Sequence, residues 1–359
     1  SLRDFGKAPF MLLCFFLLGI FLKKRHSRKS LLIYALLYGL AAGIGYGFRQ
    51  DLLICIPAGI IIVALFTQVD DPRPRITRLA ASLILLCVFL VIGFPVIYGV
   101  HLDKGSASAQ AFTQGVSEII EDRMAFGYAS YTLHHHYSDY FDFTVVNSYA
   151  RRTGYEEPME AHFSAGHGEA GGKFMREVML QFPADMFSRG LASLVALPET
   201  NEIASKETER ITQPHGDLLR SRAKVYEPFA RHFKRWGLVY ALAALVVLSI
   251  SNLRLGIAVA FLGLYFGAYP SLLYEFRHFF HLAFVPYWAL GYLIAKGYQC
   301  TAWLFTGILR KEYAALSGGF SPRKIVVGAG FVLVVFGMLG GALLVLRISQ
   351  RQRVDTLLV

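Results

Sequence analysis

LLIYALLYGLAAGIGYG (residues 31–47) is an apolar stretch that contains no charged side chain. A run of this length and composition is typical of a helix that crosses a lipid bilayer. Gly39 and Gly43 are four residues apart, so a helix places both on one face. Because small residues let two helix backbones approach closely, we expect that face to pack against a neighbouring helix.

Further apolar runs lie on both sides of this stretch. The whole chain is 55% hydrophobic and has a mean hydropathy of +0.44, which excludes an ordinary soluble domain. We predict an all-α, polytopic membrane protein with about eight transmembrane helices. These spans cover residues 9–22, 31–47, 52–66, 79–100, 236–250, 255–273, 279–294 and 325–346.

A long polar segment, residues 101–235, separates the fourth span from the fifth. It carries 15 Lys and Arg against 18 Asp and Glu, whereas the rest of the chain carries 21 against 7. The segment is too long for a simple connection. We therefore divide the chain into a four-span N-terminal membrane region (1–100), a helical insert (101–235) and a C-terminal membrane region (236–359). A cytoplasmic interfacial amphipathic helix is predicted near 297–317.

The basic residues of the membrane regions indicate the orientation of the chain. Fourteen Lys and Arg fall in the loops that this topology assigns to the cytoplasm, and seven fall in the short external segments. Because positively charged loops tend to remain on the cytoplasmic side, the insert is predicted to lie outside. The high net charge then follows from topology, and nucleic acid is not predicted as a partner.

Within the insert, apolar residues recur at helical spacing. Phe112 and Val116 form one predicted stripe, and Phe141, Val145 and Tyr149 form another. Pro183 predicts the start of a new helix, since proline is tolerated in a first turn. The glycines at 166, 168, 171 and 172 predict a flexible turn.

Charged residues at the external ends of the spans form the first candidate site. Residues of this kind either anchor the protein at the interface or bind an ion or a substrate. Arginine binds phosphate through two parallel hydrogen bonds, so two arginines at one membrane mouth favour a phosphate ligand. The candidate substrate-binding residues here are Arg49, Asp51, Arg277, His278 and His281.

The insert supplies a second set of polar candidates. His135 and Asp139 have the spacing of a helical pair. The sequence contains no ligand set with a diagnostic geometry, so no metal site is predicted. Substrate binding is the preferred role of His135, and binding of a divalent metal is the lesser alternative. Asp139 and Asp142 are candidate general bases, with a solvated acidic surface as the alternative. No phosphate-binding loop or dinucleotide motif occurs, so the sequence identifies no cofactor.

Two pairs of segments resemble a known family. GYGFRQDLLICIPAGIIIVALF (45–66) and YEFRHFFHLAFVPYWALGYL (274–293) resemble bacterial dolichyl-phosphate-mannose-mannosyltransferase-like members of the GT-C glycosyltransferase superfamily. DYFDFTVVNSYARR (139–152) and FMREVMLQFPADMFSRGLASL (174–194) are similar to the external segment of those proteins. The resemblance implies a multi-pass protein of the bacterial inner membrane with its insert in the periplasm. It also implies a polyprenyl-phosphate sugar as donor, inverting transfer, and Arg49 or Arg277 on the donor phosphate.

One departure from the family leaves two functional alternatives. Members carry a catalytic acid in an external loop after their first span, whereas this chain offers only Asp4, before a short span. The first alternative is a glycosyltransferase whose catalytic acid comes from further sequence or another chain. The second is a non-catalytic membrane subunit, for which other membrane subunits are the partners and the insert is a docking surface.

Overall fold

A computed structural model describes residues 6–102, 104, 106–117, 124, 139–154, 164–199, 217–272, 282–310 and 322–357. Helices dominate these residues, which confirms the all-α prediction. The helices are α1 (Ala8–Lys23), α2 (Arg28–Phe48), α3 (Cys55–Ile61), α4 (Pro74–Leu102), α5 (Ser106–Ser117), α6 (Asp139–Arg152), α7 (Ala165–Gln181), α8 (Pro183–Ala196), α9 (Asp217–Ser251), α10 (Leu253–Ala268), α11 (Val285–Arg310) and α12 (Pro322–Leu357). Two short strands, β1 (Arg25–Ser27) and β2 (Gln68–Asp70), complete the regular structure together with single turns at Gln50–Ile54, Ile62–Phe66, Leu197–Glu199 and Tyr269–Leu272.

Five helical segments in the described residues are long and apolar enough to cross a membrane. They are Arg28–Phe48, Pro74–Leu102, Tyr226–Ser251, Leu253–Leu272 and Pro322–Asp355. Two further apolar segments, Ala8–Lys23 and Gln50–Phe66, are helical but shorter. The structure therefore supports a membrane protein with several spans, whereas the predicted number of eight is not confirmed. The seventh predicted span begins outside the described residues and continues into α11, which runs without a break to Arg310 through the start of the predicted interfacial helix.

The chain divides into two compact units. The first contains Ser1–Ser193, Ala268–His278 and Leu343–Val359, and the second contains Leu194–Gly267 and Phe279–Ala342. In the second unit α9 packs on α11, where the rings of Phe233 and Tyr287 lie 4.0 Å apart between centroids. The candidate residues that the structure describes all belong to the first unit.

Helices α2 and α4 pack through the glycines predicted to form a contact face. A Cβ atom at Gly39 would lie 2.6 Å from the carbonyl oxygen of Leu85, and one at Gly43 would lie 2.8 Å from Cβ of Ile92. Only a residue without a side chain allows backbones to approach this closely. The predicted small-residue packing surface is thus confirmed.

The third apolar segment is not one regular helix. It begins with a tight turn at Gln50–Ile54, continues as α3 and ends in a wide turn at Ile62–Phe66. Pro57 has no N–H to donate and therefore lies in the first turn of α3, where that group is not needed. The side chain of Thr67 closes the last turn by donating to the carbonyl of Ile62 at 3.1 Å.

Strands β1 and β2 join the connections that follow the first and third apolar segments. They pair in parallel, with His26 opposite Val69. Both connections were predicted to lie on the same side of the membrane because both are basic. Their pairing agrees with that part of the topology.

The insert helices pack with a different face from the predicted one in α6. Phe112 and Val116 of α5 are buried against α7, as predicted. In α6, however, the buried residues are Val146 and Ala150, one position after the predicted apolar stripe. The reason is that Asp142 shares that buried face, and a count of apolar residues alone cannot detect a buried acid.

The glycines near 170 do not form the predicted flexible turn, because all four lie in α7. Ser164 caps this helix by accepting a hydrogen bond from the N–H of His167 at 3.1 Å. A Cβ atom at Gly171 would lie 2.6 Å from Cβ of Ala109. Gly171 therefore permits close packing of α7 on α5.

The last turns of α12 cap the corner between α7 and α8. The Gln350 side-chain oxygen accepts from the N–H of Ala184 at 3.0 Å, at the start of α8. Arg353 donates to the carbonyl of Leu180 at 2.6 Å, in the last turn of α7. Helix ends expose backbone groups that lack partners within the helix, so these two side chains stabilise both ends that meet at the corner.

Candidate functional site

The candidate site lies where α2 ends and the chain turns into the third apolar segment. Arg49 follows the last residue of α2 in an extended conformation and donates its N–H to the carbonyl of Gly45. Asp51 lies in the first turn of Gln50–Ile54. The short connection between two apolar segments therefore holds an arginine and an aspartate close together, as the sequence predicts.

Asp51 is the centre of a small charged cluster. The ammonium of Lys7 lies 2.5 Å from Oδ2 of Asp51, and Nη2 of Arg49 lies 3.7 Å from the same oxygen. The hydroxyl of Tyr269 also donates a hydrogen bond to Asp51. With two cations and one carboxylate, these side chains carry a net charge of about +1 at neutral pH.

The members of this cluster differ in their access to solvent. The side chain of Lys7 is fully buried, whereas the side chains of Arg49 and Asp51 are 19% and 16% exposed. A ligand that approaches the cluster therefore meets Arg49 and Asp51 first. Lys7 neutralises the carboxylate from below.

An apolar floor supports the cluster. The rings of Phe10 and Phe48 stack with their centroids 5.2 Å apart. A Cβ atom at Gly45 would lie 2.3 Å from Leu52 and 2.6 Å from Phe10, so glycine at this position lets three segments meet. The packing fixes the backbone from which the charged side chains project.

Sequence reasoning missed two members of the cluster. Lys7 precedes the first apolar run and is not among the predicted site residues, although the predicted topology places it on the same side as Asp51. Tyr269 belongs to an aromatic-rich stretch whose simplest interpretation is an interfacial belt. Only the folded chain brings its hydroxyl to the carboxylate.

Four predicted binding residues lie outside the described part of the chain. These are Arg277, His278 and His281, which were expected opposite Arg49, and His135 of the insert. The predicted pairing of Arg49 with Arg277 across the mouth stays a prediction. Tyr269, eight residues before Arg277, is the described neighbour of Arg49 and Asp51 from that segment.

The candidate base Asp142 is fully buried. Its Oδ2 lies 3.4 Å from Nε2 of His167, which is also fully buried. The ring of Phe143 stacks on His167 with 6.1 Å between centroids. In this arrangement Asp142 faces His167 rather than solvent. The other candidate, Asp139, is the first residue of α6, and its side chain is outside the described atoms.

A metal site would need several His, Cys, Asp or Glu side chains close together. Among the described residues, no three His, Cys, Asp or Glu side chains are grouped so that they could hold an ion. The four cysteines, Cys14, Cys55, Cys87 and Cys300, are free thiols.

The chain was compared with protein-family models, with characterised proteins and with solved structures. No match was found in any of the three comparisons.

Proposed function

We propose that this protein is a membrane glycosyltransferase of the GT-C type that binds a polyprenyl-phosphate sugar at the external end of α2. The observation that carries the proposal is the cluster of Lys7, Arg49, Asp51 and Tyr269. It presents a partly exposed guanidinium and an excess of positive charge directly beside apolar helices.

Arg49 is the proposed phosphate ligand. A guanidinium group donates two parallel hydrogen bonds to phosphate oxygens, and it keeps its charge at all physiological pH values. Asp51 lies next to it and limits the orientations that the guanidinium adopts. Preorganised donors of this kind stabilise the charge that develops on the phosphate when the sugar leaves.

The surroundings of Arg49 suit a lipid carrier. Ile44, Phe48 and Leu53 are large apolar side chains that remain about half exposed on either side of the cluster. An isoprenoid chain would cover this apolar surface. Where the surface faces water, the chain would shield it from water. Where the surface faces the bilayer, the chain would take the place of lipid acyl chains. A polar head and a long apolar tail would thus each find a matching surface.

In the proposed reaction the acceptor hydroxyl attacks the anomeric carbon of the sugar with inversion. A carbon–oxygen bond to the acceptor forms, the bond from the anomeric carbon to the phosphate oxygen breaks, and the acceptor proton passes to a base. Asp51 is poorly suited to be that base, because the ammonium of Lys7 lies 2.5 Å from its Oδ2. We assign Asp51 to the positioning of Arg49.

The test is the replacement of Arg49 by Ala in the full chain. We expect binding of a polyprenyl phosphate to the purified protein in nanodiscs to weaken by about 30-fold, because charge-assisted hydrogen bonds are lost. Transfer from a labelled polyprenyl-phosphate sugar should fall in parallel. Arg25→Ala is the matched control, since Arg25 is an exposed arginine that also pairs with an aspartate, Asp70, but lies beyond the other end of α1 and α2. Equal binding of polyprenyl phosphate by the wild type and Arg49→Ala would show that Arg49 does not bind the phosphate.

A second candidate function is that of a non-catalytic subunit which binds another membrane protein through the insert. Tyr140 on α6 and Met179 and Leu180 on α7 are exposed apolar side chains outside the apolar spans, and they support a docking surface. The mass of the protein purified from its native membrane in mild detergent tests this alternative. A stable complex that Tyr140→Ser disrupts would favour it, and a monomer would count against it.

A further inference from the structure

Arg189 on α8 is the largest fully buried side chain in the described part of the chain. Only 2% of its surface remains exposed. A guanidinium removed from water is costly unless hydrogen bonds compensate for the lost hydration. The hydrogen bonds of Arg189 therefore indicate which segments of the chain it holds together.

Two backbone carbonyls from different segments accept hydrogen bonds from Arg189. Its Nη2 donates to Gly115 at 2.5 Å, and its Nε donates to Ser271 at 3.3 Å. Gly115 lies in the last turn of α5, where helix carbonyls lack partners within the helix. Ser271 lies in the turn Tyr269–Leu272. Arg189 thus ties that turn to two helices of the insert.

The helix that carries Arg189 is itself held firmly. Asp185, one turn earlier on α8, is fully buried and pairs with Arg347 of α12. Arg347 also donates to the hydroxyl of Ser188 at 3.1 Å. The backbone at Arg189 therefore has a fixed position from which its guanidinium reaches Ser271.

The turn that Arg189 holds also supplies Tyr269 to the charged cluster. The hydroxyl of Tyr269 donates to Asp51, and Asp51 lies beside Arg49. A displacement of the turn would withdraw this hydrogen bond and leave the carboxylate less constrained. The position of the Arg49 guanidinium depends on that carboxylate.

We propose that Arg189 is a positioning residue for the phosphate site, which acts through the turn at Tyr269–Leu272 and the Tyr269 hydroxyl on Asp51. The proposal rests on the proposed function, since it assumes a phosphate ligand at Arg49. It assigns to the insert a defined role: the insert sets the geometry of the site at the membrane mouth without touching the ligand.

The test is a double-mutant cycle with Arg189→Lys and Tyr269→Phe in the full chain. Lysine keeps the charge but lacks the planar fork that reaches both carbonyls. We expect each single change to weaken binding of polyprenyl phosphate by about tenfold, and the double change to weaken it no further than one single change. Arg353→Lys is the control, because Arg353 also donates to a helix carbonyl but lies at the α7–α8 corner. Its binding should equal that of the wild type.

A second measurement separates this inference from the phosphate assignment. Amide hydrogen exchange of the peptide that contains Tyr269–Leu272, measured without ligand, should accelerate in Arg189→Lys and remain unchanged in Arg353→Lys. If the wild type binds no polyprenyl phosphate but the turn still loosens, the proposed function fails, whereas the hold of Arg189 on the turn that supplies Tyr269 is supported. Fully additive losses in the cycle, or unchanged exchange of the turn, would overturn the role of Arg189. Should Arg189→Lys fail to fold, Arg189→Gln, which retains an amide donor, takes its place in both measurements.

Discussion

His26 shows how one buried side chain makes the fold sensitive to pH. It is only 1% exposed and lies in β1, outside the spans. Its Nε2 lies 3.1 Å from the carbonyl of Ile20, and its Nδ1 lies 3.3 Å from the hydroxyl of Ser30. The carbonyl can only accept, so Nε2 carries the proton and Nδ1 accepts from Ser30 in the neutral ring. Burial lowers the pKa of His26 below its ordinary value of 6.5, despite the bond to Ile20 that raises it.

The stability of the protein should therefore fall in mild acid. Below pH 6.5 His26 binds a proton more readily in the unfolded chain than in the folded chain. The contribution of His26 to the free energy of unfolding is therefore complete above pH 6.5 and is lost as the pH falls below that value. We expect the melting temperature in detergent to drop between about pH 8 and about pH 5, and His26→Gln to reduce that drop. An identical pH profile for the two proteins would show that His26 does not contribute.

At the scale of elements, the contact between α2 and α4 depends on two glycines. We expect Gly39→Ala to lower the free energy of unfolding by about 1–3 kcal/mol, because the new methyl group would meet the backbone carbonyl of Leu85. Gly43→Ala should cost a similar amount, since its nearest neighbour is Cβ of Ile92, which is fixed to the backbone of α4. Thermal unfolding of the purified variants measures both changes.

Gly47→Ala is the control for this series, because a Cβ atom at Gly47 has no neighbour within 4 Å. It should leave stability unchanged or raise it slightly, since alanine favours the helix. A loss at Gly47 equal to that at Gly39 would mean that the loss does not come from the contact between α2 and α4, since Gly47 makes no such contact.

Elements were predictable where one physical pattern dominates. The apolar runs at 31–47 and 79–100 lie within α2 and α4, since burial in lipid demands a long uninterrupted apolar stretch. The same patterns failed in α6 and at the glycines of α7. In α6 the buried face includes Asp142, and in α7 glycine serves helix packing rather than a turn. Neighbours distant in sequence decide both cases.

At the scale of the whole molecule, the topology predicts opposite sides for the two ends of the N-terminal helices. Residue 50 should be external, beside the charged cluster, and residue 70, in β2, should be cytoplasmic. Gln50→Cys and Asp70→Cys, in a chain whose four native cysteines are replaced by serine, should react with an impermeant thiol reagent from opposite faces of the membrane. Reaction of both from the same face would refute the topology of this region.

The sequence by itself determined the helical class, the approximate limits of several spans, and the presence of Arg49 and Asp51 at one apolar boundary. These depend on local composition and spacing, which the chain carries in consecutive residues. Only the tertiary structure brought Lys7 and Tyr269 to Asp51 and placed Arg189 behind that site. The physical reason is that a buried charge requires a partner, and the partners of Asp51 and Arg189 come from segments far apart in the sequence.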